Sequence, residues 1–141
     1  MHYPITLNAA LMSQLRTAFS LTPQDTLLDI TAFGDVFIQR KVDVPTATQH
    51  LLYSITDGTI TDVSDLIAEH GLPPVSLDLG DEWYQFNAQA MLKEDGLTLA
   101  DDECFGFIQP TFEGGDYGPH NIHIVKIIDY VTSRLPNLTH A

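Results

Sequence analysis

Apolar residues at helical spacing mark both ends of the chain. Near the start they predict a helix over about residues 6–20, with Thr6 as its N-cap and an end before Pro23. The apolar stripe of this helix consists of Leu7, Leu11, Leu15 and Phe19. Near the other end, a second amphipathic segment runs from Ile128 to Leu135. We therefore expect a helix at each end of the folded unit.

Two more helices are predicted in the middle of the chain. A short one begins at Asp62 or Ser64 and ends at the turn of Gly71. A longer amphipathic helix is predicted as one continuous element between residues 78 and 96. Its apolar stripe consists of Leu79, Trp83, Phe86 and Ala90.

Short β-prone segments occur in pairs around turn residues. The segments are residues 28–32, 36–38, 51–55, 59–61, 104–108 and 122–127. Gly34 separates the first two, which predicts two short strands or one strand bent at that glycine. Asp57-Gly58 separates the next two and predicts a hairpin, because both residues tolerate positive φ. A long glycine-rich loop joins the last two.

This arrangement predicts the fold class. The turns between paired strands are too short for regular βαβ crossovers, so an antiparallel or mixed β-sheet flanked by helices is expected, in an α+β fold. With 141 residues, of which 44% are hydrophobic, the chain can form one compact domain over residues 1–141. The weakly patterned stretch from Lys41 to Thr48 is too short to separate two domains.

The charge balance narrows the choice of partners. Asp and Glu number 19 against 6 Lys and Arg, which gives a net charge of −13. Such a surface repels phosphate backbones and anionic membranes and attracts basic proteins. We expect no direct binding to nucleic acid or membranes, although surplus carboxylates also serve solubility alone. A cytoplasmic protein is favoured by three features: an N-terminus poor in basic residues, a single cysteine and the lack of a long apolar run.

Several residues that resemble catalytic groups have a simpler explanation. Cys104 follows three acids, which would raise the pKa of its thiol, and it lies in an apolar strand, so we expect a core residue. His120 and His123, with Asp116 nearby, suggest a metal site. Residues three apart in a strand point to opposite faces, so the two imidazoles converge only if His120 lies in the loop.

Structural roles are also expected for the remaining residues that could bind a phosphate or a sugar. Gly114 and Gly115 match neither a dinucleotide fingerprint nor a phosphate-binding loop and are expected in turns. Trp83, Tyr84 and Phe86 could present a sugar platform, but the spacing of Trp83 and Phe86 is that of a core stripe. The sequence thus predicts no catalytic residues, no metal and no cofactor, and we expect the protein not to be an enzyme.

Five short motifs, taken together and in order, resemble a known family. They are Ile30–Ile38, Asp57–Ile60, Asp102–Phe107, Glu113–Gly115 and Asn121–Val125. This set is similar to the C-terminal domain of type VI secretion system DNase immunity proteins, a family long catalogued as a domain of unknown function. The similarity covers about residues 28–135.

The resemblance implies a binding role. It implies that Phe33, Gly34 and Asp35, like Gly114 and Gly115, are scaffold residues, and it transfers no catalytic residue. The expected function is that of an immunity protein, which binds a cognate bacterial toxin and masks its active or DNA-binding site. A type VI secretion nuclease effector, rich in basic residues, is one such toxin.

The candidate contacts for that partner are the acids of two loops and one aromatic anchor. They are Asp101, Asp102, Glu103, Glu113, Asp116 and Tyr117. The same carboxylates would also suit a solvated rim. Two other functions stay open: a small metal-dependent enzyme or small-ligand-binding domain that uses the glycine-rich loop with His120 and His123, and a regulatory domain unrelated to toxins. The sequence does not predict the oligomeric state.

Overall fold

In the computed structural model, which describes residue 5, residues 7–42 and residues 47–140, the chain forms seven strands and five α-helices. The strands are β1 (Asp25–Ile30), β2 (Val36–Val42), β3 (Ala47–Ser54), β4 (Thr59–Asp62), β5 (Glu103–Phe107), β6 (Ile122–Lys126) and β7 (Thr139–His140). The helices are α1 (Ala9–Ala18), α2 (Ser64–His70), α3 (Leu77–Tyr84), α4 (Phe86–Glu94) and α5 (Ile127–Arg134). Short 3-10 helices span Thr111–Glu113, Pro119–Asn121 and Leu135–Asn137.

The strands form one larger sheet and one ribbon. The five-stranded sheet has the order β1-β2-β3-β4-β7, in which β1 to β4 are antiparallel neighbours and β7 runs parallel to β4. β5 and β6 pair antiparallel as a separate ribbon. The predicted α+β class, with a mixed sheet flanked by helices, is confirmed.

Strand alternation divides the larger sheet into two buried faces. Ile38, Leu51 and Tyr53 point to the side covered by α1 and α5. Phe37 points to the opposite side, where it contacts Trp83 of α3 at a ring-centroid distance of 5.1 Å. The sheet is therefore a middle layer between helices, as the alternating pattern of its strands requires.

The β1–β2 turn connects the larger sheet to the ribbon. Phe33 projects from this turn and lies 5.6 Å, between ring centroids, from both Phe105 and Phe107 of β5. The amide of Phe105 donates a 2.7 Å hydrogen bond to the carbonyl of Ala32. Gly34 adopts φ 85° in the turn, so the prediction of two separate strands is confirmed over that of one bent strand.

The end helices and the short helix α2 are confirmed. Asn8 caps α1 by accepting a 2.8 Å hydrogen bond from the Leu11 amide. The predicted cap, Thr6, and residues 43–46 of the weakly patterned stretch lie outside the described residues. α2 ends at Gly71 as expected, with a positive φ of 82°.

The predicted hairpin of β3 and β4 is confirmed, but only one of the two turn residues expected to have a positive φ does so. The strands pair as far as Ser54 and Thr59, so residues 55–58 form the turn. Gly58 has φ 71°, whereas Asp57 is not among the described residues with positive φ. A four-residue turn requires the left-handed conformation only at its last position, and the glycine supplies it.

The prediction of one continuous helix between residues 78 and 96 is wrong. α3 and α4 meet at Gln85, which adopts φ 56° and ψ 51° in the left-handed region. Asp81 stabilises the start of α4, because its carboxylate accepts hydrogen bonds from the Asn87 amide (2.9 Å) and side chain (3.1 Å). The break shifts the helical phase, so Ala90 of the predicted stripe is exposed and Leu92 is buried instead.

Candidate functional site

An acidic cleft lies where the β3–β4 turn, the α3–α4 junction and the glycine-rich loop meet. Its volume is about 470 Å³. Its walls are Asp57, Asp81, Glu82, Gln85, Asn87, Ala88, Met91 and Tyr117. The loop contacts the turn through Thr111 Oγ1, which donates a 2.5 Å hydrogen bond to the Thr56 carbonyl, and the helix junction contacts the turn through Gln85 Nε2, which lies 3.4 Å from Thr56 Oγ1. We refer to this set of residues as the acidic cleft.

The ionisable side chains at the cleft wall, apart from the tyrosine, are carboxylic acids. They come from Asp57, Asp81 and Glu82, and among the residues that the structure describes neither lysine, arginine nor histidine lines the wall. Packing around the Asp57 carboxyl raises its pKa, although part of the residue is exposed at the rim. Asp81 is partly occupied in capping α4, whereas Glu82 is exposed. A cleft of this composition attracts cations and hydrogen-bond donors.

A smaller cavity of about 160 Å³ shares Asp57, Glu82, Gln85 and Tyr117 with the cleft and extends to Asp35. The Asp35 side chain is buried and accepts hydrogen bonds from Thr56 through the amide (2.9 Å) and the hydroxyl (3.0 Å). Burial raises the pKa of Asp35 to about 7, against the lowering effect of these hydrogen bonds. The carboxyl behind the cleft therefore titrates near neutral pH.

Gln85 carries an unpaired acceptor at the cleft wall. The residue is 9% exposed, and its Nε2 donates to Thr56 Oγ1 at 3.4 Å. The Thr56 hydroxyl donates to the Asp35 carboxylate, and its oxygen accepts from Gln85 Nε2 in this arrangement. Gln85 Oε1 is then buried with no hydrogen-bond partner. A buried acceptor without a partner lowers the stability of the fold.

Three apolar side chains at the rim are open to solvent. Met91 and Tyr117 at the cleft wall are 46% and 43% exposed, and Phe112 beside the turn is 41% exposed. Phe112 packs on Gly58, where a Cβ would lie 2.9 Å from its ring. Tyr117 packs edge-on against Phe107 at 5.2 Å, and burial together with Asp57 and Asp35 raises its pKa to about 12. Its phenol is thus neutral at physiological pH, and the rim combines aromatic anchors with carboxylates.

The structure separates the acids that the sequence analysis grouped as candidate contacts. Asp101, Asp102 and Glu103 lie at one end of the β5–β6 ribbon, whereas the loop with Tyr117 lies at the other end. Five strand residues place these ends roughly 15 Å apart. Lys126 Nζ lies 2.9 Å from Asp102 and 3.9 Å from Glu103, and this contact lowers the pKa of Asp102. Lys126 therefore neutralises part of the negative charge of Asp102 and Glu103.

Of the loop residues predicted as contacts, only Tyr117 lines the cleft. Glu113 and Asp116 are exposed in the same loop. Asp116 accepts a 2.8 Å hydrogen bond from the Gly118 amide and lies 3.3 Å from the His120 imidazole. Glu113 and Asp116 therefore lie in the same loop as Tyr117 but do not line the cleft.

The residues predicted as scaffold lie at packed positions. Phe33 and Asp35 are buried, and Gly34 makes the β1–β2 turn. Gly114 adopts φ 89° at the end of a 3-10 helix. A Cβ on Gly115 would overlap the Gln109 carbonyl, so this close approach of two backbone segments requires glycine.

The other residues considered for catalysis or ligand binding have structural roles or do not form a site. Cys104 is fully buried, and burial together with Asp35 and Glu103 raises the pKa of its thiol, which confirms a core residue. Trp83 is buried against the larger sheet, as predicted for the core stripe. Phe86, the other predicted member, is only partly buried and stacks on Tyr84, which lay outside the stripe and is fully buried. Among the residues that the structure describes, no three His, Cys, Asp or Glu side chains gather to hold a metal ion.

Of the eight wall residues, only Tyr117 was predicted as a contact. Asp57 was predicted in the hairpin turn, and Asp81, Glu82 and Gln85 lay within the one predicted helix over residues 78–96. The Asp-Gly turn could have suggested an accessible carboxylate at Asp57. No sequence signal marks Gln85, because its role follows from the helix break and from its contact with Thr56.

Comparison with protein-family models finds no match, and comparison with curated proteins finds no significant relative. The resemblance to immunity proteins therefore stays a prediction based on the five motifs. Among the described residues, no helix is both long enough and apolar enough to cross a membrane.

Proposed function

We propose that this protein is a cytoplasmic immunity protein that binds a basic bacterial toxin and masks the toxin's active or DNA-binding site. The observation that carries this proposal is the composition of the acidic cleft and its rim. Three carboxylic acids, Asp57, Asp81 and Glu82, line the cleft together with exposed Met91 and Tyr117, and exposed Phe112 packs on Gly58 in the neighbouring turn. Aromatic anchors beside charged groups are typical of the energetic centres of protein interfaces.

The charge of the whole chain supports the same function. At a net charge of −13, long-range attraction speeds the encounter with a basic protein and disfavours nucleic acid as a direct ligand. A nuclease holds DNA with Lys and Arg side chains, so an acidic surface can occupy the same groove and exclude the substrate. The resemblance of the five motifs to type VI secretion DNase immunity proteins makes a nuclease effector the proposed toxin class.

Coexpression with the product of the adjacent gene tests the proposal. That product is expected to be toxic alone, to be harmless together with this protein and to copurify with it. The affinity should fall steeply between about 50 and about 200 mM salt, as it does for oppositely charged proteins. If this protein neither protects the cells nor forms a complex, the proposed function is wrong.

A further inference from the structure

Three buried polar side chains form a chain of hydrogen bonds behind the acidic cleft. The Thr56 hydroxyl donates to Asp35 Oδ2 at 3.0 Å, and Gln85 Nε2 lies 3.4 Å from the same hydroxyl oxygen. Asp35, Thr56 and Gln85 are all buried, so bulk water does not compete for these groups. The direction of each hydrogen bond is therefore set by what the neighbouring group can donate or accept.

The ionised form of Asp35 fixes one direction of this chain. A carboxylate only accepts hydrogen bonds, so ionised Asp35 takes the single proton of the Thr56 hydroxyl. The Thr56 oxygen then accepts from Gln85 Nε2, and Gln85 Oε1 is buried without a partner. This is the arrangement in the structure.

The protonated form of Asp35 reverses the direction. Asp35 Oδ1 accepts from the Thr56 amide at 2.9 Å, so an added proton belongs on Oδ2, which faces the Thr56 hydroxyl. Oδ2 then donates to the Thr56 oxygen, and the hydroxyl proton needs a different acceptor. Gln85 Oε1 becomes that acceptor when the amide turns over and its nitrogen and oxygen exchange places. Each protonation state of Asp35 thus goes with a different orientation of the Gln85 amide.

Both protonation states are accessible in the folded protein. The cavity of about 160 Å³ connects Asp35 to residues of the acidic cleft, and its volume admits water that can carry a proton from solvent. Burial raises the pKa of Asp35 to about 7. Neutral pH therefore lies at the midpoint between the two states.

Five other ionisable side chains face Asp35 from the elements packed around it. They are Asp57 in the β3–β4 turn, Glu82 in α3, Cys104 in β5, Tyr117 in the glycine-rich loop and Tyr130 in α5. The raised pKa values of the thiol and of the two phenols keep these three groups neutral near pH 7. Among the described residues, no basic side chain lines the cavity. Asp57 and Glu82 are therefore the neighbours whose charge a test has to separate from that of Asp35.

We propose that Asp35, Thr56 and Gln85 form a proton-operated hydrogen-bond switch, in which protonation of Asp35 reverses the hydrogen bonds of the Thr56 hydroxyl and turns over the Gln85 amide. Gln85 is a wall residue of the acidic cleft, and Thr56 also holds the glycine-rich loop through its carbonyl. The switch thus lies where the three elements of the cleft meet. It goes beyond the proposed function and does not depend on it, since it requires no partner.

An NMR titration of the purified protein between about pH 5 and about pH 9 tests the switch. The carbon-13 shift of the Asp35 carboxyl and the shifts of the Gln85 side-chain amide group should follow one common midpoint near pH 7. In Asp35→Asn the new side-chain nitrogen donates to the Thr56 oxygen, as the protonated carboxyl does. The Gln85 shifts of this variant should therefore stay close to the native low-pH values throughout the range.

Substitutions of Thr56 separate the switch from a through-space effect of the Asp35 charge. Thr56→Val removes the hydroxyl with little change of shape, so the Gln85 shifts should no longer follow Asp35. Asp35 itself should titrate at a higher pH, because the lost hydrogen bond lowers its pKa in the native protein. Thr56→Ser restores the hydroxyl and should restore the response. Thr59→Val makes the matched substitution at another threonine that lines the cavity and should leave the response unchanged.

Three results would overturn the inference. The first is a set of Gln85 shifts that does not follow the Asp35 carboxyl in the native protein. The second is a response of Gln85 that persists in Thr56→Val, since the hydroxyl would then play no part. The third is loss of the common midpoint in Asp57→Asn, which would assign the titration to Asp57. If Asp35→Asn does not fold, the comparison of Thr56→Val with Thr56→Ser still decides.

Discussion

Replacement of Asp35 by asparagine should flatten the dependence of stability on pH. In the folded protein the pKa of Asp35 is raised from 3.8 to about 7, mainly by burial. Between these two values the folded state binds a proton that the unfolded state has released, so the free energy of unfolding falls as pH rises. The stabilisation is fully present below pH 3.8 and is lost as pH passes through about 7. An asparagine side chain cannot titrate, so the substitution removes this contribution.

The magnitude follows from the size of the pKa shift. A change from 3.8 to about 7 corresponds to at most about 4 kcal/mol between the two ends of the window. Asparagine has nearly the same shape, and its side-chain oxygen can still accept from the Thr56 amide. We therefore expect the variant to be less stable than the native protein near pH 4.5 and to gain relative stability steadily up to pH 8.

Urea unfolding at half-unit steps from pH 4.5 to 8, followed by Trp83 fluorescence, measures this difference. For each protein the assay gives the free energy of unfolding as a function of pH. Subtraction of the variant's values from those of the native protein cancels the contributions of Asp25, Asp57 and other groups that titrate in both proteins. Asp101→Asn, which makes the same substitution at an exposed position, serves as the control. Parallel curves for Asp35→Asn would refute the reasoning, since they would mean that Asp35 titrates alike in both states. If Asp35→Asn does not fold, the carbon-13 shift of the Asp35 carboxyl in the native protein should titrate near pH 7.

Two further predictions concern stability elsewhere in the chain. Arg40→Ala should destabilise the fold by about 1 to 3 kcal/mol at pH 7, because Asp25 is buried and loses its 2.7 Å partner. This difference should shrink as pH falls through the lowered pKa of Asp25, and a constant difference in urea unfolding would contradict it. Gly115→Ala should lower stability by about 2 kcal/mol or more, because its Cβ overlaps the Gln109 carbonyl. Gly96→Ala, which has open space around its Cβ but φ 83°, should lower it by only about 1 kcal/mol, and equal losses in thermal unfolding would argue against the overlap.

Much of the fold could be predicted because its elements depend on local patterns. The alternation in segments 51–55 and 59–61, with Gly58 between them, is enough for a hairpin, since register and turn are set within a dozen residues. The same holds for α1 and α5, whose apolar stripes each cover one neighbouring surface.

The break between α3 and α4 shows where local patterns fail. The periodicity from Leu79 to Phe86 continues through Gln85, and glutamine is a good helix former, so nothing nearby indicates an interruption. The left-handed conformation is accompanied by a tertiary contact, Gln85 with Thr56, and by the burial of Trp83 and Tyr84 against Phe37 of the larger sheet. Such contacts override a propensity of a few tenths of a kcal/mol.

The α+β class, the acidic charge, the core role of Cys104 and the hairpins could be predicted, because each depends on composition or on residues close along the chain. Local patterns could not predict that Asp57, Glu82, Gln85 and Tyr117 share one cleft, whereas Asp101 and Asp102 lie at the far end of the ribbon. The reason is that a site is defined by distances between side chains, and residues 57 and 117 become neighbours only after the loop packs on the turn.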